Sequence, residues 1–546
     1  MILQKKLLFL TVLLAIVLRI YALDRIPPSL FSDEVDVGYQ AYSLFKTGRD
    51  YSGNFLPIHL KSFADFRAPL YIYFTIPFVA IFELSEWAVR LPAAIFGILS
   101  VILLYFLAIK LKFNSWVALL SSFSLAISPW SIHYSRAGFE VSLMLLLIIL
   151  GLWLFLKGLE KEIYFILSLS AFTLAVYTYS TAKLFIPLFG LALAFIFKKQ
   201  LFKLSLKWKI GIIIFLTLLS MPLVFDTVSG KAGYRFSYTN IFADPTIPKE
   251  IDVQRNIDTG SKKIGMQPTI LSKINHNKVL SFWDSYLKNY LSSFSTQFLF
   301  LDGDPIRRHS VGKMGQFYLF EAVTIFIGLF ILFRTKTKAK PILLIWLFLA
   351  PIPASLTVEG GNHATRLILL LVPLLILSGL GLETTFKYLL RKSIKEISFL
   401  IIFSIISASF YFYVHRYFIH YPLEQERIWH FGFKQAILKT EDLKDDFDNI
   451  LFTTSVESPL PFILFWTKYP PEKFQHLKNN NLGLGKYIFG SVNDKALLNH
   501  KILIVAAPKD LPKKNLLDID LEGFTILDNI KYPSGETVFM ILTKND

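Results

Sequence analysis

The segment FSDEVDVGYQAY places Asp33, Glu34 and Asp36 about ten residues beyond the first apolar stretch of the chain. Carboxylates that close to a hydrophobic segment are within reach of a bilayer surface. Moving a glycosyl unit onto a hydroxyl requires a base that takes the hydroxyl proton as the glycosidic carbon is attacked, and a carboxylate beside the membrane suits a substrate whose tail is lipid. A solvated acidic loop or the acidic first turn of a helix is the ordinary alternative for the same residues. In the same polar stretch, FADFRAPLYIY carries Asp65 and Arg67 just ahead of an apolar run. A guanidinium at headgroup depth can hold a lipid phosphate and offset the charge that develops as phosphate leaves. Plain interfacial anchoring is the alternative there.

Further polar residues stand at the ends of other apolar runs. HYSRAGFE gives His133, Tyr134, Arg136 and Glu140, YTYSTAK gives Tyr177, Tyr179 and Lys183, and EGGNHATR gives Glu359, His363 and Arg366. Basic residues on that side run against the positive-inside bias, and beside carboxylates they outline a cavity for an anionic headgroup, with anchoring as the competing explanation. FLFLDGDPIRRHSVGKMGQFY adds Asp302, Asp304, Arg307, Arg308 and His309 as phosphate or sugar ligands, although the Asp-Gly-Asp-Pro run is also plain turn chemistry. The histidines form no recognisable metal motif, so no metal ligand is assigned and any need for a divalent cation is left open.

The elements that must position these residues are membrane spans. Of 546 residues, 53% are hydrophobic, more than a soluble domain of ordinary composition carries. Uncharged runs long enough to cross a hydrocarbon core recur near residues 6–23, 88–110, 115–131, 139–156, 162–179, 184–198, 208–226, 316–334, 341–356, 366–386 and 396–418. The net charge of +17 resides largely in short loops between them, which makes it a topology signal and not a nucleic-acid footprint. With the amino terminus inside, lysine and arginine clusters such as Lys198, Lys199, Lys203, Lys207 and Lys209 fall inside, while the short outer loops hold only Arg136, Lys183 and Arg366. The first run lacks a small-x-small cleavage site after it and reads as an uncleaved span. The absence of cysteine excludes disulfides and thiolate metal sites.

Residues 69–82 are short for a crossing, and a crossing there would invert every later basic loop, so they read as an interfacial or re-entrant helix. Two large outer loops follow, 24–87 and 227–315, the second carrying short helices on the membrane. The fold class expected is therefore a polytopic α-helical membrane protein of about eleven spans over residues 1–418, with a small α/β domain outside over 419–546. The β-like runs NILFTTS, KILIVAAP and TVFMILT mark that domain.

SDEVDVGYQAYSL, RAPLYIYF, SEWAVRLPAAIFGILSVILLYFLAIKL and SPWSIHYSRAGFE occur in the order shown by the GT-C membrane glycosyltransferases. Over roughly the first 140 residues the chain resembles their family 39-like branch, which includes the protein O-mannosyltransferases and the lipid A aminoarabinose transferases. The resemblance implies an inverting transfer from a polyprenyl-phosphate sugar at the outer face, with Asp33 as base or acceptor-positioning carboxylate and Glu34 beside it. The basic residue that precedes the interfacial helix in that family, in a KPPL or HPPL pattern, falls at Arg67, with Ala68 in place of a proline. Arg136 is expected at the cavity mouth, and Arg67 and Arg136 at the donor phosphate. Glu34 or Asp65 is expected to shape the sugar site. The partners implied are the lipid-linked sugar donor, an acceptor protein, glycolipid or cell-envelope glycan, and the bilayer. No nucleic acid is expected, and no cofactor is assigned beyond the open question of a divalent cation. A lipid-linked glycan ligase or polymerase, and a transporter or flippase, are the competing classes; a transporter would place charges at mid-membrane and show repeated halves.

Overall fold

Each of the eleven apolar segments lies on helix in the computed structural model, which describes residues 2–63, 65–228, 230, 233–258, 267–389, 395–477, 483–491, 501–511 and 523–544. The first half of the chain contains α1 (Ile2–Ile20), α2 (Ser32–Thr47), α3 (Leu70–Phe82), α4 (Glu86–Lys110), α5 (Ser115–Ile127), α6 (Pro129–Tyr134), α7 (Val141–Gly158), α8 (Ile163–Val176), α9 (Ser180–Ile196), α10 (Lys198–Phe202) and α11 (Leu206–Val228). Helices Leu319–Arg334, Ala339–Leu349, Leu371–Leu389 and Lys395–His415 complete the apolar set. Among the described residues, five helices are long and apolar enough to cross a membrane: Glu86–Lys110, Val141–Gly158, Leu206–Asp226, Ala364–Leu389 and Glu396–Glu424. The 69–82 run forms the 13-residue α3, and the 227–315 segment carries helices Tyr234–Thr239, Thr246–Asp258, Ile270–Asn275 and Lys278–Ser292.

Local chemistry sets the helix ends. Ser85 accepts from the Ala88 N–H at the start of α4, and Asn114 accepts from Trp116 and Val117 N–H at the start of α5. Helices Leu319–Arg334 and Leu371–Leu389 meet backbone to backbone. A Cβ on Gly328 would strike the Leu377 carbonyl and one on Gly381 the Thr324 carbonyl, and Thr324 and Ser378 share a hydrogen bond of 2.8 Å between the helices.

Three fully buried arginines tie the amino-terminal elements together. Arg19 donates to the Ala126 and Leu125 carbonyls at the end of α5, at 3.0 and 3.1 Å. Arg136 donates to the carbonyls of Leu18, Ala22 and Ile26, at 2.8, 3.1 and 2.9 Å, around the end of α1. The last carbonyls of a helix lack intrahelical donors and carry its negative dipole end, so a buried guanidinium is matched there without a carboxylate. Arg90 donates to the Leu23, Pro27 and Ser29 carbonyls and closes an ion pair with Glu34 at 2.9 Å, fixing the approach to α2.

The carboxy-terminal sheet contains the three β-like runs of the sequence as β3 (Asn449–Thr453), β6 (Ile502–Ala506) and β8 (Thr537–Lys544), with β4 (Gly483–Leu484), β5 (Tyr487–Gly490) and β7 (Phe524–Lys531) added. Its strand order is β4-β5-β3-β6-β8-β7, with β3 parallel to both β5 and β6 and β8 antiparallel to β6 and β7. Every residue of β6, Ile-Leu-Ile-Val-Ala, is buried, as expected of a strand covered on both faces. The sheet domain rests on α2: Tyr39 donates to the Tyr469 carbonyl at 2.9 Å, and the Gln475 amide reaches Ser43, Thr47 and the Asp50 carbonyl at 3.1, 3.0 and 3.0 Å.

Candidate active site

The first turn of α2 divides its acidic residues between two environments. Glu34 sits at N3, where its carboxylate accepts from the Phe31 N–H, from the Gly138 N–H at 2.8 Å and from Arg90, with a side chain that is 0% exposed. Asp33, one residue earlier and about 100° around the helix, is 52% exposed and faces a cavity. Glu34, expected beside Asp33 at the chemistry, is thus placed away from the cavity, with its acceptor sites committed to Phe31, Gly138 and Arg90.

The cavity has a volume of about 570 Å³. One wall consists of Ser32, Asp33, Asp36, Ser62, Phe63, Asp65, Arg67 and Tyr238, and the other of Thr454, Glu457, Ser458, Pro459, Leu460, Pro461 and Phe489 from the carboxy-terminal sheet domain. Arg67, in the two-residue strand β2 (Phe66–Arg67) paired with β1 (Leu60–Lys61), is the electrostatic centre. Its guanidinium lies 2.6 Å from Asp33, 2.6 Å from Asp36 and 3.5 Å from Glu140. Burial acts against its charge, but the Asp33, Asp36 and Glu140 carboxylates outweigh burial and raise its pKa above the ordinary value. Asp36, which also accepts from Tyr51 at 3.0 Å and Ser62 at 3.1 Å, is held above the usual carboxylate range by burial, against the opposing pull of Arg67. Asp65 accepts from the Phe66 N–H at 2.7 Å and the Tyr238 hydroxyl at 3.1 Å.

Lys183, in the first turn of α9, lies on a second concavity of about 780 Å³. Its lining is almost wholly apolar: Leu169, Phe172 and Val176 of α8, Ile186, Pro187 and Leu191 of α9, and Leu216 and Val224 of α11. Lys183 Nζ is 3.4 Å from His59 Nε2, and His59 Nδ1 is 2.6 Å from Asp226. Through His59 the rim of the groove reaches a polar concavity that His59, Asp226 and Phe66 line, and Phe66 stands between Asp65 and Arg67 of the first cavity.

The remaining expected residues lie behind the cavity. Arg136, expected at its mouth, is instead buried against the end of α1, where its guanidinium clamps backbone carbonyls. Arg307 folds back on its own turn, donating to the Asp302 and Asp304 carbonyls at 2.9 and 3.2 Å. Arg308 lies over the Phe31 ring at 4.5 Å and donates to the Ile428 carbonyl at 2.9 Å. Burial lowers its pKa, opposed by the charges of Asp33 and Glu457. Tyr134 shares a hydrogen bond with Thr365 at 2.7 Å, and Thr365 another with His309 at 3.2 Å. Burial, reinforced by Arg308, pushes His309 down to about 3 and keeps it neutral. Arg366 donates to Thr357 at 2.6 Å and the Val358 carbonyl at 3.1 Å. Among the described residues, no group of three or more His, Asp or Glu side chains is arranged to hold a metal ion.

Sequence reasoning missed the wall from the carboxy-terminal domain and the His59–Asp226 pair, and it named Glu140 without pairing it to Arg67. Glu140 carried a signal, since it stands in the same HYSRAGFE segment as Arg136. The wall had none, because only the tertiary docking of the sheet domain on α2 brings it there.

A family model described as dolichyl-phosphate-mannose-protein mannosyltransferase matches residues 66–225, which include Arg67, Glu140 and Lys183. YkcB of Bacillus subtilis (strain 168), a protein named as a candidate mannosyltransferase, is 35% identical over 81 residues, 15% of this chain and 11% of that protein. The chain spans 63% of the Archaeoglobus fulgidus oligosaccharyltransferase, with a TM-score of 0.49 at 15% identity over 85% of this chain. ArnT from Cupriavidus metallidurans, solved bound to undecaprenyl phosphate, aligns over 98% of this chain and 97% of its own, with a TM-score of 0.55 at 12% identity. That end-to-end correspondence shows the fold: the chain shares the overall architecture of ArnT.

Proposed function

We propose that the chain is an integral membrane glycosyltransferase that moves a sugar from a polyprenyl-phosphate donor to an acceptor hydroxyl on the outer face of the membrane, by a single inverting displacement. The observation that carries this reading is the adjacency of two differently built spaces. One is a polar cavity with a solvent-reachable carboxylate held by a guanidinium, and the other is an apolar groove with a lysine on its rim. A polyprenyl chain suits the groove and its phosphate suits the rim, which brings the glycosidic carbon into the cavity beside Asp33. The neighbour ArnT was solved with undecaprenyl phosphate, a ligand of the class this arrangement fits.

In the reaction proposed, Asp33 takes the proton of the acceptor hydroxyl as its oxygen bonds to the anomeric carbon. The bond from that carbon to the phosphate oxygen breaks, its electron pair stays on the polyprenyl phosphate, and the configuration inverts. Lys183 meets the negative charge of the phosphate, and Arg67 fixes the orientation of Asp33 and adds positive potential to the cavity. Asp65 and Tyr238 bound the sugar site. The amino terminus lies inside and the sheet domain outside, in accord with the basic inner loops. Which hexose or pentose is carried depends on the pocket around Asp65 and Phe63.

The test is transfer of radiolabelled sugar in membranes preloaded with polyprenyl-phosphate sugars, comparing the native chain with Asp33→Asn at matched expression. Label reaching an acceptor only with Asp33 intact is the expected result. Equal transfer by both removes Asp33 as the base, and no transfer by either across several donors removes the transferase reading.

A further inference from the structure

The second wall of the cavity has a position that its own fold explains. From β3 the chain crosses to β5 on one side, and the next parallel strand, β6, lies on the other side of β3. The carboxyl ends of β3 and β6 therefore flank a topological switch point, the place where open parallel sheets leave a crevice for ligands. The loops after these strands are bound together there, with Thr453 and Ser455 both donating to the Asp510 carboxylate, at 2.7 and 2.8 Å. The first of these loops runs on through Thr454, Glu457 and Ser458 into the cavity that contains Asp33.

Glu457 is the one charged side chain on this wall. Its carboxylate accepts from the Ser458 N–H at 3.1 Å and approaches His430 Nε2 at 3.7 Å, yet its side chain remains 40% exposed. Burial pushes His430 down to about 4, so near neutral pH it faces Glu457 as an uncharged ring. Aromatic rings also line the cavity: Phe489 on this wall, and opposite it Tyr238 and Phe63, the latter 42% exposed and stacked on Tyr51 at 5.0 Å. The lining holds four carboxylates, Asp33, Asp36, Asp65 and Glu457, and one guanidinium, Arg67; with Arg308 behind it, within the field of Asp33 and Glu457, acidic groups still outnumber basic ones. That balance disfavours an anionic group, whereas carboxylates, hydroxyls and aromatic faces together match the hydroxyls and apolar faces of a sugar ring.

We propose that Thr454, Glu457, Ser458 and Phe489 form an acceptor subsite, that Glu457 sets its specificity, and that the acceptor is a neutral, hydroxyl-rich saccharide. The assignment to an acceptor rests on the transferase reading above, in which the donor enters from the groove on the opposite side of the cavity. Glu457 accepts hydrogen bonds from saccharide hydroxyls, and the ring lies against an aromatic face.

The test uses the full chain in detergent and measures binding of mannotriose, of trigalacturonate as an acidic counterpart, and of a threonine-rich peptide. Mannotriose is expected to bind the native chain, and Glu457→Gln to weaken it at least about tenfold, the loss typical of a hydrogen bond to a charged group. Phe489→Ala weakens it as well, and trigalacturonate binds the native chain far more weakly than mannotriose. Mannotriose binding that is absent, or unchanged in both Glu457→Gln and Phe489→Ala, overturns the proposal, as does binding of the peptide alone. The same variants in the radiolabel assay separate the two claims. Glu457-dependent mannotriose binding without any sugar transfer sinks the transferase reading and keeps the saccharide site, whereas transfer that Glu457→Gln leaves unaltered sinks the subsite and keeps the transferase.

Discussion

Arg67 Nη2 stands 2.6 Å from Asp33 Oδ1, and Nε of the same guanidinium stands 2.6 Å from Asp36 Oδ2, although the two carboxylates differ sharply in exposure. One cation thus ties an accessible carboxylate to a buried one. Asp36 is the anchor, immobilised by Tyr51 and Ser62, and Asp33 is the group left facing the cavity. For a base that must meet a hydroxyl in one orientation, this supplies rigidity without closing access. Asp33→Asn retains the shape and removes the proton acceptor, so kcat is expected to fall by about 10²–10⁴ with donor affinity little changed. Single-turnover transfer from a preloaded donor checks it; a loss confined to KM would assign Asp33 to binding.

Removing Arg67 carries a second consequence. Asp36 is 3% exposed at its side chain, and without the guanidinium its charge is buried and uncompensated. Arg67→Ala is expected to destabilise the fold by about 3–5 kcal/mol. Adding Asp36→Asn should restore part of that stability without restoring activity. Thermal unfolding of the four proteins of this double-mutant cycle in detergent measures the coupling; additive effects would mean that the pair is not an energetic unit.

Glu34 offers the opposite contrast. With both Glu34 and Arg90 at 0% exposure, Glu34→Ala leaves a buried guanidinium without its carboxylate and should lower stability by about 3–5 kcal/mol. Glu34→Gln, which keeps the size and one acceptor oxygen, should be milder and should retain the native kcat per folded molecule. A large kcat loss at undiminished melting temperature in Glu34→Gln would return this residue to the chemistry.

These contrasts mark how far the sequence could be read. The apolar segments were legible because a helix that crosses lipid must be both long and uncharged, and β3, β6 and β8 were legible as short β-branched and aromatic runs. Asp33 and Arg67 were singled out by type and place, but Glu34 was grouped with Asp33 because sequence adjacency hides the turn of about 100° per residue that separates them on α2. Arg136 was read as a ligand because the carbonyls it binds belong to the end of α1, a feature of backbone geometry with no residue signature. Glu457 escaped notice for a similar reason: its relevance arises only when the sheet domain docks through Tyr39 and Gln475.

Asp304 provides a pH-dependent test away from the cavity. Its carboxylate accepts from the Ala364 N–H at 2.7 Å and the Ile306 N–H at 2.8 Å, yet burial outweighs those bonds and pushes it up to about 6. A carboxyl whose pKa is higher folded than unfolded binds its proton more tightly in the native state. Its contribution favours folding at acid pH and is lost as pH rises from about 4 through about 6. Asp304→Asn, which cannot titrate, should flatten the fall in stability across that window. Melting temperatures of both proteins between pH 4 and pH 7 decide it, and an unchanged slope would assign the dependence to other groups.

The apolar groove gives the last prediction. Gly190 of α9 lines it, and a Cβ built there meets no atom within 4 Å, so a large side chain would enter the groove without disturbing the helix packing. Gly190→Trp should raise KM for a long polyprenyl-phosphate donor while leaving kcat near its native value, because Gly190 lies about two turns of α9 beyond Lys183 and the lost interaction is made equally in ground and transition states. A donor with a prenyl chain too short to fill the groove should be much less affected. Steady-state kinetics with the two donors separate these outcomes. If Gly190→Trp raises KM equally for both, the groove does not hold the lipid tail, and the donor reaches Asp33 along another path.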